Sequence, residues 1–373
     1  MNPYDFARID WTHAPERHKP AWHHRLNGNQ PLYAGKLNFD IYAETPLFVA
    51  DPSGASSDPR RPALSMRNAQ GAYIIPGSSL KGLLRSVVET LGNGCMTLFD
   101  GDYERGAVRY RGNVPSNFQH CEKNSDLCIA CRIFGMLKER TGGVFLGKVN
   151  IGDAVADPAR IFLYEPMYTA VLVEPKPHHD AFYLDQTRTY IAGRKFYFHH
   201  SPGYKPLTAP KLILFGGRPA NRFIQPLDYD TRFAARINFT NLEASELGAL
   251  LMAITLEEGM RHKIGYGKPL GLGSVQLVPT SLTLVDYTAR YTQADDPESG
   301  MKTLDGNDMW NRFYDFIDAF TQSHLSSQSF ADLKRIWRWP PEPDVEYYYP
   351  SKRDWFDTAA SRGQRIAATR NVP

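Results

Sequence analysis

The chain has 373 residues, of which 42% are hydrophobic and 22% charged, and 43 basic against 40 acidic side chains leave a formal charge of only +3. This composition excludes a chain that is disordered throughout, and it places any RNA-binding surface in a local patch. No apolar run approaches the ~20 residues that span a bilayer, and residues 1–10 lack an apolar signal core. We therefore expect a soluble, cytoplasmic protein without a membrane partner.

The first predicted elements are an irregular arm, a strand and a long loop. Residues 1–35 carry four histidines and two tryptophans among prolines and basic residues, without strand or helix periodicity. Polar and apolar residues then alternate from Lys36 to Ala43, as in a half-buried strand. Residues 51–70 are rich in Pro, Ser, Asp and Arg, which indicates a loop, and loops of this length inside compact domains are usually functional or disordered.

The following segments predict the rest of a mixed core. A short strand at Tyr73–Ile75 precedes leucines and valines at helical spacing up to Leu91, and the stretch Gly143–Ala154 reads as another strand. Residues 241–261 predict an amphipathic helix with Asn241 as its N-cap. A glycine-rich loop at 265–273 then leads into a last core strand that begins at Ser274.

This order of elements predicts an α+β fold with a ferredoxin-like, RRM-like βαββαβ core that carries long insertions. Such a sheet is a common platform for RNA. We expect the arm to cover residues 1–35, the core domain 36–285, and a helical and extended C-terminal tail 286–373. Helical patterns in that tail run from Met309 to Phe320 and from Phe330 to Trp337.

The segment PGSSLKGLLR combines a glycine turn with the predicted start of a helix. Glycine lets backbone N–H groups approach a phosphate closely, and the helix N-terminus adds donors. Taken alone, the segment favours a plain strand-to-helix turn; together with the segments below, it favours a phosphate site without base specificity. The predicted RNA contacts are Gly77, Ser78, Ser79, Lys81 and Arg85.

The segment GYGKPLGLG at 265–273 has four glycines and basic neighbours, which suits a backbone cradle for phosphates or 2′-hydroxyls of RNA. No Gly-Lys-Ser/Thr opens a helix here, so the loop is not a P-loop and nucleotide hydrolysis is not expected. The predicted RNA contacts are His262, Lys263, Gly265, Gly267, Lys268, Gly271 and Gly273.

The four cysteines predict a metal site, because three of them crowd into the spacing Cys121-x6-Cys128-x2-Cys131. A closed Zn²⁺ site needs a fourth ligand, and Cys95 is preferred over His120, since adjacent His120 and Cys121 seldom reach one ion without strain. The other interpretation is four buried free cysteines. We expect a zinc-binding insertion at residues 95–131, with a structural and not a catalytic metal.

Residues 175–210 mix Pro, His, Tyr and basic residues, which predicts a protruding hairpin or loop. Its aromatic and histidine side chains could wedge between bases or contact a neighbouring subunit, and Arg194 and Lys195 suit phosphates. The other interpretation is that the histidine pairs lie on the surface without a function.

Three segments together resemble the RAMP superfamily, which supplies the backbone subunits of type III CRISPR effector complexes. They are Ile75–Arg85, the stretch Cys128–Gly135 (CIACRIFG) and the loop 265–273, and their order and spacing match the family across residues 36–285. Two further segments, at residues 11–24 and 193–200, resemble those of a type III-D-like branch. In this family the insertion at 175–210 corresponds to a thumb.

The resemblance implies that the chain binds guide RNA, with target RNA and other effector subunits, including further RAMP subunits, as partners. In cleaving members an aspartate in the loop before the PGSSLKG segment lies beside a kinked target nucleotide, and the 2′-hydroxyl attacks the adjacent phosphate. Here that loop offers Asp58 and Asp51, and Asp58 lies nearer to the family's Asp-x-Pro position. Its carboxylate would position the 2′-hydroxyl or take its proton, while Arg60, Arg61 or a bound Mg²⁺ offsets charge on the phosphorane.

Three functions therefore stay open. The first is an endoribonuclease that acts within the assembled complex on guide-paired target RNA. The second is a non-catalytic structural subunit, because some family members hold RNA without cutting it and Asp51-Pro and Asp58-Pro are also common turn starters. The third is a stand-alone endonuclease for precursor guide RNA, which needs an acid–base histidine such as His120 or His262.

Overall fold

The computed structural model describes residues 2–21, 31–51, 61–96, 112–137, 143–172, 183–292, 298–343, 345 and 347–349, and they form a mixed α+β structure. Its helices are α1 Gly77–Leu91, α2 Ile129–Phe134, α3 Ala244–Thr255, α4 Tyr287–Thr292, α5 Gly306–His324 and α6 Ser327–Ile336. Its strands are β1 Tyr4–Ala7, β2 Arg17–His18, β3 Tyr33–Ala43, β4 Ala63–Leu64, β5 Ile74–Ile75, β6 Leu127–Cys128, β7 Gly135–Leu137, β8 Val144–Leu146, β9 Val149–Ile151, β10 Ala154–Ala156, β11 Met167–Thr169, β12 Arg194–Tyr197, β13 Thr208–Ala209, β14 Leu214–Phe215, β15 Arg218–Pro219, β16 Phe223–Gln225, β17 Arg232–Leu242, β18 His262–Lys263, β19 Ser274–Val285 and β20 Met301–Leu304.

The central sheet has the strand order β18-β19-β3-β17-β10-β5, with β9 also pairing with β17 and β20 with β19, and every neighbouring pair is antiparallel. Its middle consists of three long strands, β3, β17 and β19. Along them apolar side chains alternate with polar ones, so that one face of the sheet is buried under helices and the other carries polar groups. The buried face includes Leu37, Phe39, Ile41, Phe233, Ile237, Phe239, Val275 and Leu277.

Helices α1 and α3 lie against this apolar face, and α5 packs on α3. The predicted helix of the PGSSLKG segment is confirmed as α1, which buries Leu80, Leu84, Val87, Val88 and Leu91 and ends before Gly92. The predicted N-cap of α3 at Asn241 is wrong. Strand β17 runs through Asn241 to Leu242, and the cap is Glu243, which exchanges capping-box hydrogen bonds with Glu246.

The N-terminal segment, predicted to be irregular, contains two short strands among its described residues. Strand β1 pairs with β12, and β2 pairs with β6. These partners are distant in the sequence, so no local periodicity indicates the pairing. Arg8 adds a salt bridge to Asp332 in the middle of α6, with 2.7 Å between Nε and Oδ2.

The insertion between β10 and β17 contributes three strands of the four-stranded sheet β13-β11-β16-β4, and β4 comes from the segment before β5. The hairpin β14–β15 also belongs to this insertion. Its strand β12 packs inward on β1 and α6, and Phe196, Phe198, His199 and His200 are buried. The protruding hairpin or loop predicted for residues 175–210 lies partly outside the described residues, and in its described part these aromatic side chains fill the space beside the N-terminal strand.

The two predicted helical patterns of the tail are present as α5 and α6, each starting three residues before its pattern. Phe313, Phe316 and Phe320 of α5 are buried in the main core. Within the described ranges, no helix combines the length and the apolar character that crossing a membrane requires.

Candidate functional site

All four cysteines meet in one buried cluster. Cys95 follows α1, Cys121 lies in the loop before β6, and Cys128 and Cys131 sit at the start of α2. Each is fully buried and none forms a disulfide. The Sγ atom of Cys95 lies 3.7 Å from those of Cys128 and Cys131, and all four sulfurs lie within 4.8 Å of one another.

This geometry could hold a metal ion and is compatible with structural Zn²⁺. Four thiolates around Zn²⁺ with Zn–S distances of about 2.3 Å stand about 3.8 Å apart, which agrees with the observed separation of the sulfurs. A disulfide would need about 2.05 Å. The half-buried His120 lies outside the group, so the four sulfurs supply the four donors that such a site needs without it.

The thiols of the cluster depend on one another for their ionisation. Hydrogen bonds from neighbouring thiols, first that of Cys121, hold the pKa of Cys128 well below its usual value and the pKa of Cys131 well above it. The backbone N–H of Cys128 donates to Sγ of Cys121 at 3.3 Å. Four thiolates in so small a buried volume would repel each other, so full ionisation requires a cation among them.

Arg85, predicted to contact RNA, points into the protein beside this cluster. Its Nη2 lies 3.4 Å from Sγ of Cys131, its Nη1 donates to the carbonyl of Gly135 at 2.8 Å, and its Nε donates to Glu89 at 2.8 Å. Arg194 donates to the other carboxylate oxygen of Glu89 at 3.0 Å. Both arginines, predicted for phosphates, are therefore engaged in protein contacts.

The N-terminus of α1 presents a different set of groups to solvent. Ser78 and Ser79 are exposed and Lys81 is half-buried, and burial lowers the pKa of Lys81. The N–H of Gly77 is already taken by the carboxylate of Asp153, at 2.8 Å from Oδ1. Gly77 itself is buried, and a Cβ there would stand 2.1 Å from the carbonyl oxygen of Ile151, so the absence of a side chain allows α1 to pack closely against β9.

The glycine loop 265–273 folds back on the segment that precedes the long loop. Tyr266 N–H donates to the carbonyl of Phe48, and Gly273 N–H to that of Pro46, both at 2.9 Å. Gly265, Gly267, Gly271 and Gly273 all have positive φ, which favours glycine. Gly267, Gly271 and Gly273 are buried, and a Cβ on Gly271 would lie 2.8 Å from Nδ1 of His200, so much of the predicted cradle faces protein.

Most of the predicted cations near this loop also have protein partners. His262 pairs with the carbonyl of Ala253 at 2.8 Å, and Lys263 donates to Oγ of Ser274 at 3.0 Å. Both side chains are buried, and burial lowers the pKa of Lys263 to about 7. Lys268 is less enclosed and donates to the carbonyl of Gly265, while Lys195 places its Nζ 3.8 Å from the centre of the Tyr4 ring.

Of the two predicted catalytic residues, Asp51 is half-buried at the end of the segment that holds the glycine loop. Asp58 lies outside the described residues. Asp51 follows Phe48 by three residues, and the carbonyl of Phe48 accepts the hydrogen bond from the N–H of Tyr266. The base of the long loop and the glycine loop therefore lie side by side.

Several polar groups near these segments were missed by sequence reasoning. Asp153 caps α1 from a distant turn, and no local pattern indicates it. The guanidinium of Arg222, which is exposed, lies 5.0 Å from the centre of the Tyr266 ring on the glycine loop. Exposed Arg236 and Asn238 stand on the polar face of β17, and the alternation in residues 232–242 could have revealed them.

A second group of possible metal ligands consists of His18, Glu243 and Glu246. Both carboxylate oxygens of Glu246 are occupied, by Arg132 at 2.8 Å and by Lys148 at 2.7 Å. Two buried cations beside these ligands oppose binding of a further one. The described residues thus provide no support for a Mg²⁺ site.

Comparison with known protein families assigns the chain to a superfamily. A family model of the RAMP superfamily matches residues 40–276, which is more than half of the chain and includes all four cysteines, the start of α1 and the glycine loop. No curated protein matches the chain significantly. The chain therefore belongs to the RAMP superfamily, and this membership implies a CRISPR-associated RNA-binding subunit that binds CRISPR RNA and other effector subunits.

Proposed function

We propose that the chain is a guide-RNA-binding backbone subunit of a type III CRISPR effector, of a type III-D-like branch. The main support for an RNA-binding surface comes from the start of α1, where exposed Ser78 and Ser79 lie next to the half-buried side chain of Lys81. Hydroxyls and an ammonium in the first turns of a helix are donors suited to phosphate oxygens. Lys268 on the glycine loop adds a second cation to this proposed surface.

A ferredoxin-like core is part of the proposal. The elements β3, α1, the pair β9–β10, β17, α3 and β19 follow one another in the order strand, helix, two strands, helix, strand, where the pair β9–β10 takes the place of one strand. In the sheet the first of these strands lies between the fourth and the third, and the second stands beside the third. This antiparallel arrangement supports a βαββαβ unit with long insertions.

Salt dependence of RNA affinity tests the proposed surface. For single-stranded RNA each neutralised phosphate contributes roughly 0.7 to the slope of log affinity against log salt. We expect Lys81→Gln to reduce this slope by about that amount, and Lys302→Gln, which removes an exposed cation from β20, to leave it unchanged. Equal slopes for wild type and Lys81→Gln would show that Lys81 does not contact a phosphate of the RNA.

Cleavage of guide-paired target RNA through Asp58, with Asp51 as the second candidate, is the proposed activity within the complex. The carboxylate would position the 2′-hydroxyl or accept its proton, with Arg60 or Arg61 beside the phosphorane. Support comes from family membership and from the position of Asp51 next to the segment that binds the glycine loop.

The test replaces Asp58 and Asp51 by Ala, singly and together, in the assembled effector, and follows the length of target RNA. Loss of the cut with Asp58→Ala while guide RNA stays bound is the expected result. Undiminished cutting by the double variant would instead support a structural subunit that holds RNA and neighbouring subunits only. Asp305→Ala, remote in sequence and exposed, is the matched control.

We also propose that the cysteine cluster holds Zn²⁺. The 3.7 Å separations and the complete burial of four free thiols support a closed tetrahedral site. When bound, the ion would supply structural stabilisation. Elemental analysis of the purified protein is expected to find about one equivalent of zinc, and replacement of Cys95 by Ser is expected to remove it.

A further inference from the structure

Arg85 belongs to a closed ring of polar contacts around the cysteine cluster. From Sγ of Cys131 the ring runs through Arg85 to Glu89, and from Glu89 to Arg194. Arg194 then donates its Nη2 to the carbonyl of Cys95 at 3.0 Å and to that of Gly94 at 2.7 Å. The ring therefore begins at one cysteine of the cluster and returns to another.

From this ring we propose that Arg85 is an outer-sphere partner of a metal bound by the four cysteines, and that it joins the metal centre to helix α1 and strand β12. The inference rests on the metal centre proposed above and is independent of RNA binding. It gives Arg85 of the PGSSLKGLLR segment a role at the metal, in place of the phosphate contact expected from the sequence.

The directions of the guanidinium nitrogens support this role. All three nitrogens of Arg85 have a partner inside the protein: the sulfur of Cys131, the carbonyl of Gly135 and the carboxylate of Glu89. About a quarter of the side chain is accessible, at 23%. A phosphate could therefore reach this guanidinium only by displacing one of these partners, whereas exposed Ser78 and Ser79 need no rearrangement.

Charge complementarity gives the second argument. A divalent ion with four thiolates has a formal charge of minus two, and N–H donors close to the sulfurs stabilise such an anionic centre. The ring supplies two guanidinium groups and one carboxylate, so its own formal charge is positive. Protonated thiols would leave this net charge of plus one without a counter-charge, whereas the metal complex of charge minus two offsets it and leaves a sum of minus one.

Gly135 explains how Arg85 reaches both the metal ligands and the end of their helix. Gly135 follows α2, which carries Cys131, and has a φ of +89°. A Cβ there would stand 2.6 Å from the N atom of Gly147, so the backbone approaches β8 closely at this point and its carbonyl turns towards Arg85. One guanidinium thus contacts a metal ligand and the helix C-terminus together, where a cation is favourable.

The experiment measures metal binding directly, with Co²⁺ as a spectroscopic probe in competition with Zn²⁺ on the full chain. We expect Arg85→Gln to weaken affinity by roughly 10- to 100-fold, the usual effect of losing an outer-sphere partner. We also expect the thiolate-to-cobalt charge-transfer band to move to lower energy, because a hydrogen bond to sulfur is lost. Arg85→Lys keeps the charge, so its metal affinity and its band energy should lie between those of the wild type and those of Arg85→Gln.

Lys81→Gln on the same helix is the matched control, and it should leave both affinity and band unchanged. RNA binding should give the opposite result: Lys81→Gln reduces the slope of log RNA affinity against log salt, and Arg85→Gln leaves it unchanged. Wild-type affinity and an unshifted band in Arg85→Gln would overturn the inference. A wild type without a thiolate–cobalt band would instead refute the metal centre itself.

If Arg85→Gln fails to fold, Glu89→Gln replaces it, because the amide oxygen of Gln can still accept the hydrogen bond from Nε of Arg85 and so keep its contact with Cys131. Removing the carboxylate releases Arg194 and takes one negative charge from the ring. We then expect the metal affinity to stay at or above that of the wild type. We also expect the contact between β12 and α1 to loosen, so that limited proteolysis of the variant is faster than that of the wild type. A drop in affinity matching the loss of a cysteine would contradict the charge argument.

Discussion

The guanidinium of Arg132 donates its Nε to Oε1 of Glu246 across 2.8 Å, and neither side chain reaches solvent. Lys148, equally buried, donates to the other carboxylate oxygen at 2.7 Å. One carboxylate at the start of α3 thus connects α2, next to the cysteine cluster, with the segment between β8 and β9. Removing one member of such a buried group leaves charges without compensation.

We therefore expect Glu246→Gln to lower the free energy of unfolding by about 3–5 kcal/mol, measured by denaturant titration. Glu257→Gln is the control, since Glu257 forms an exposed pair with Lys334 on the surface. That change should stay within about 1 kcal/mol. Similar losses in both variants would contradict the special role of burial.

Two glycines of α1 should respond in opposite directions to alanine. Gly77→Ala places a Cβ 2.1 Å from the carbonyl oxygen of Ile151 and must push α1 away from the sheet. Gly82 is exposed with open space around its Cβ position, so Gly82→Ala should stabilise the helix by about 0.5–1 kcal/mol. Thermal unfolding checks the signs, and a stabilising Gly77→Ala would show that the packing of α1 is looser than described.

Asp153 should contribute to stability through the N-terminus of α1. Its carboxylate accepts the N–H of Gly77, which has no partner within the helix. Asp153→Ala is expected to lower the free energy of unfolding by about 1 kcal/mol. Asp305 precedes α5 without a side-chain hydrogen bond to that helix. Asp305→Ala should therefore lower the free energy of unfolding by only about 0.3 kcal/mol, through the lost interaction with the helix dipole.

Buried Lys263 predicts a stability that rises in alkaline solution. Burial lowers its pKa to about 7, whereas the unfolded chain keeps the ordinary value of about 10.4. Between these values the unfolded state binds a proton that the folded state lacks, so the free energy of unfolding rises with pH by up to about 1.4 kcal/mol per unit. Below pH 7 both states are protonated and this contribution is constant.

Lys263→Met removes this group, so the rise in stability from pH 7 to about pH 9 should be smaller in the variant than in the wild type. Lys302→Met, at an exposed site on β20, should keep the pH dependence of the wild type. Denaturant unfolding at several pH values gives the comparison, and parallel curves for wild type and Lys263→Met would disprove the assignment.

Local patterns predicted much of the helix and strand content. The leucines and valines of α1 at helical spacing and the alternation along β3 each depend on which face of one element is buried, and a linear sequence carries that information. The cysteine spacing likewise indicated a cluster, since Cys128 and Cys131 are held together by one turn of α2.

Contacts between distant segments were not predictable in the same way. The orientation of Arg85 depends on Glu89, one turn along α1, and also on Gly135 and Cys131, which the chain brings back after residue 120. The glycines of the 265–273 loop were read as space for RNA, yet Gly271 makes room for His200 and Gly273 for the carbonyl of Ile264. A glycine in the sequence indicates that other atoms approach the backbone closely, but only the fold shows whether these atoms belong to the protein or to a ligand.

Complete burial of the four cysteines has a practical consequence for fluorescence work. A thiol-reactive dye has no accessible native cysteine to modify, because all four lie inside the cluster. An exposed position such as Ser86 on α1 can therefore be changed to cysteine and labelled selectively in an otherwise native background. A single dye at that site would test in real time whether RNA binds at the proposed surface on α1.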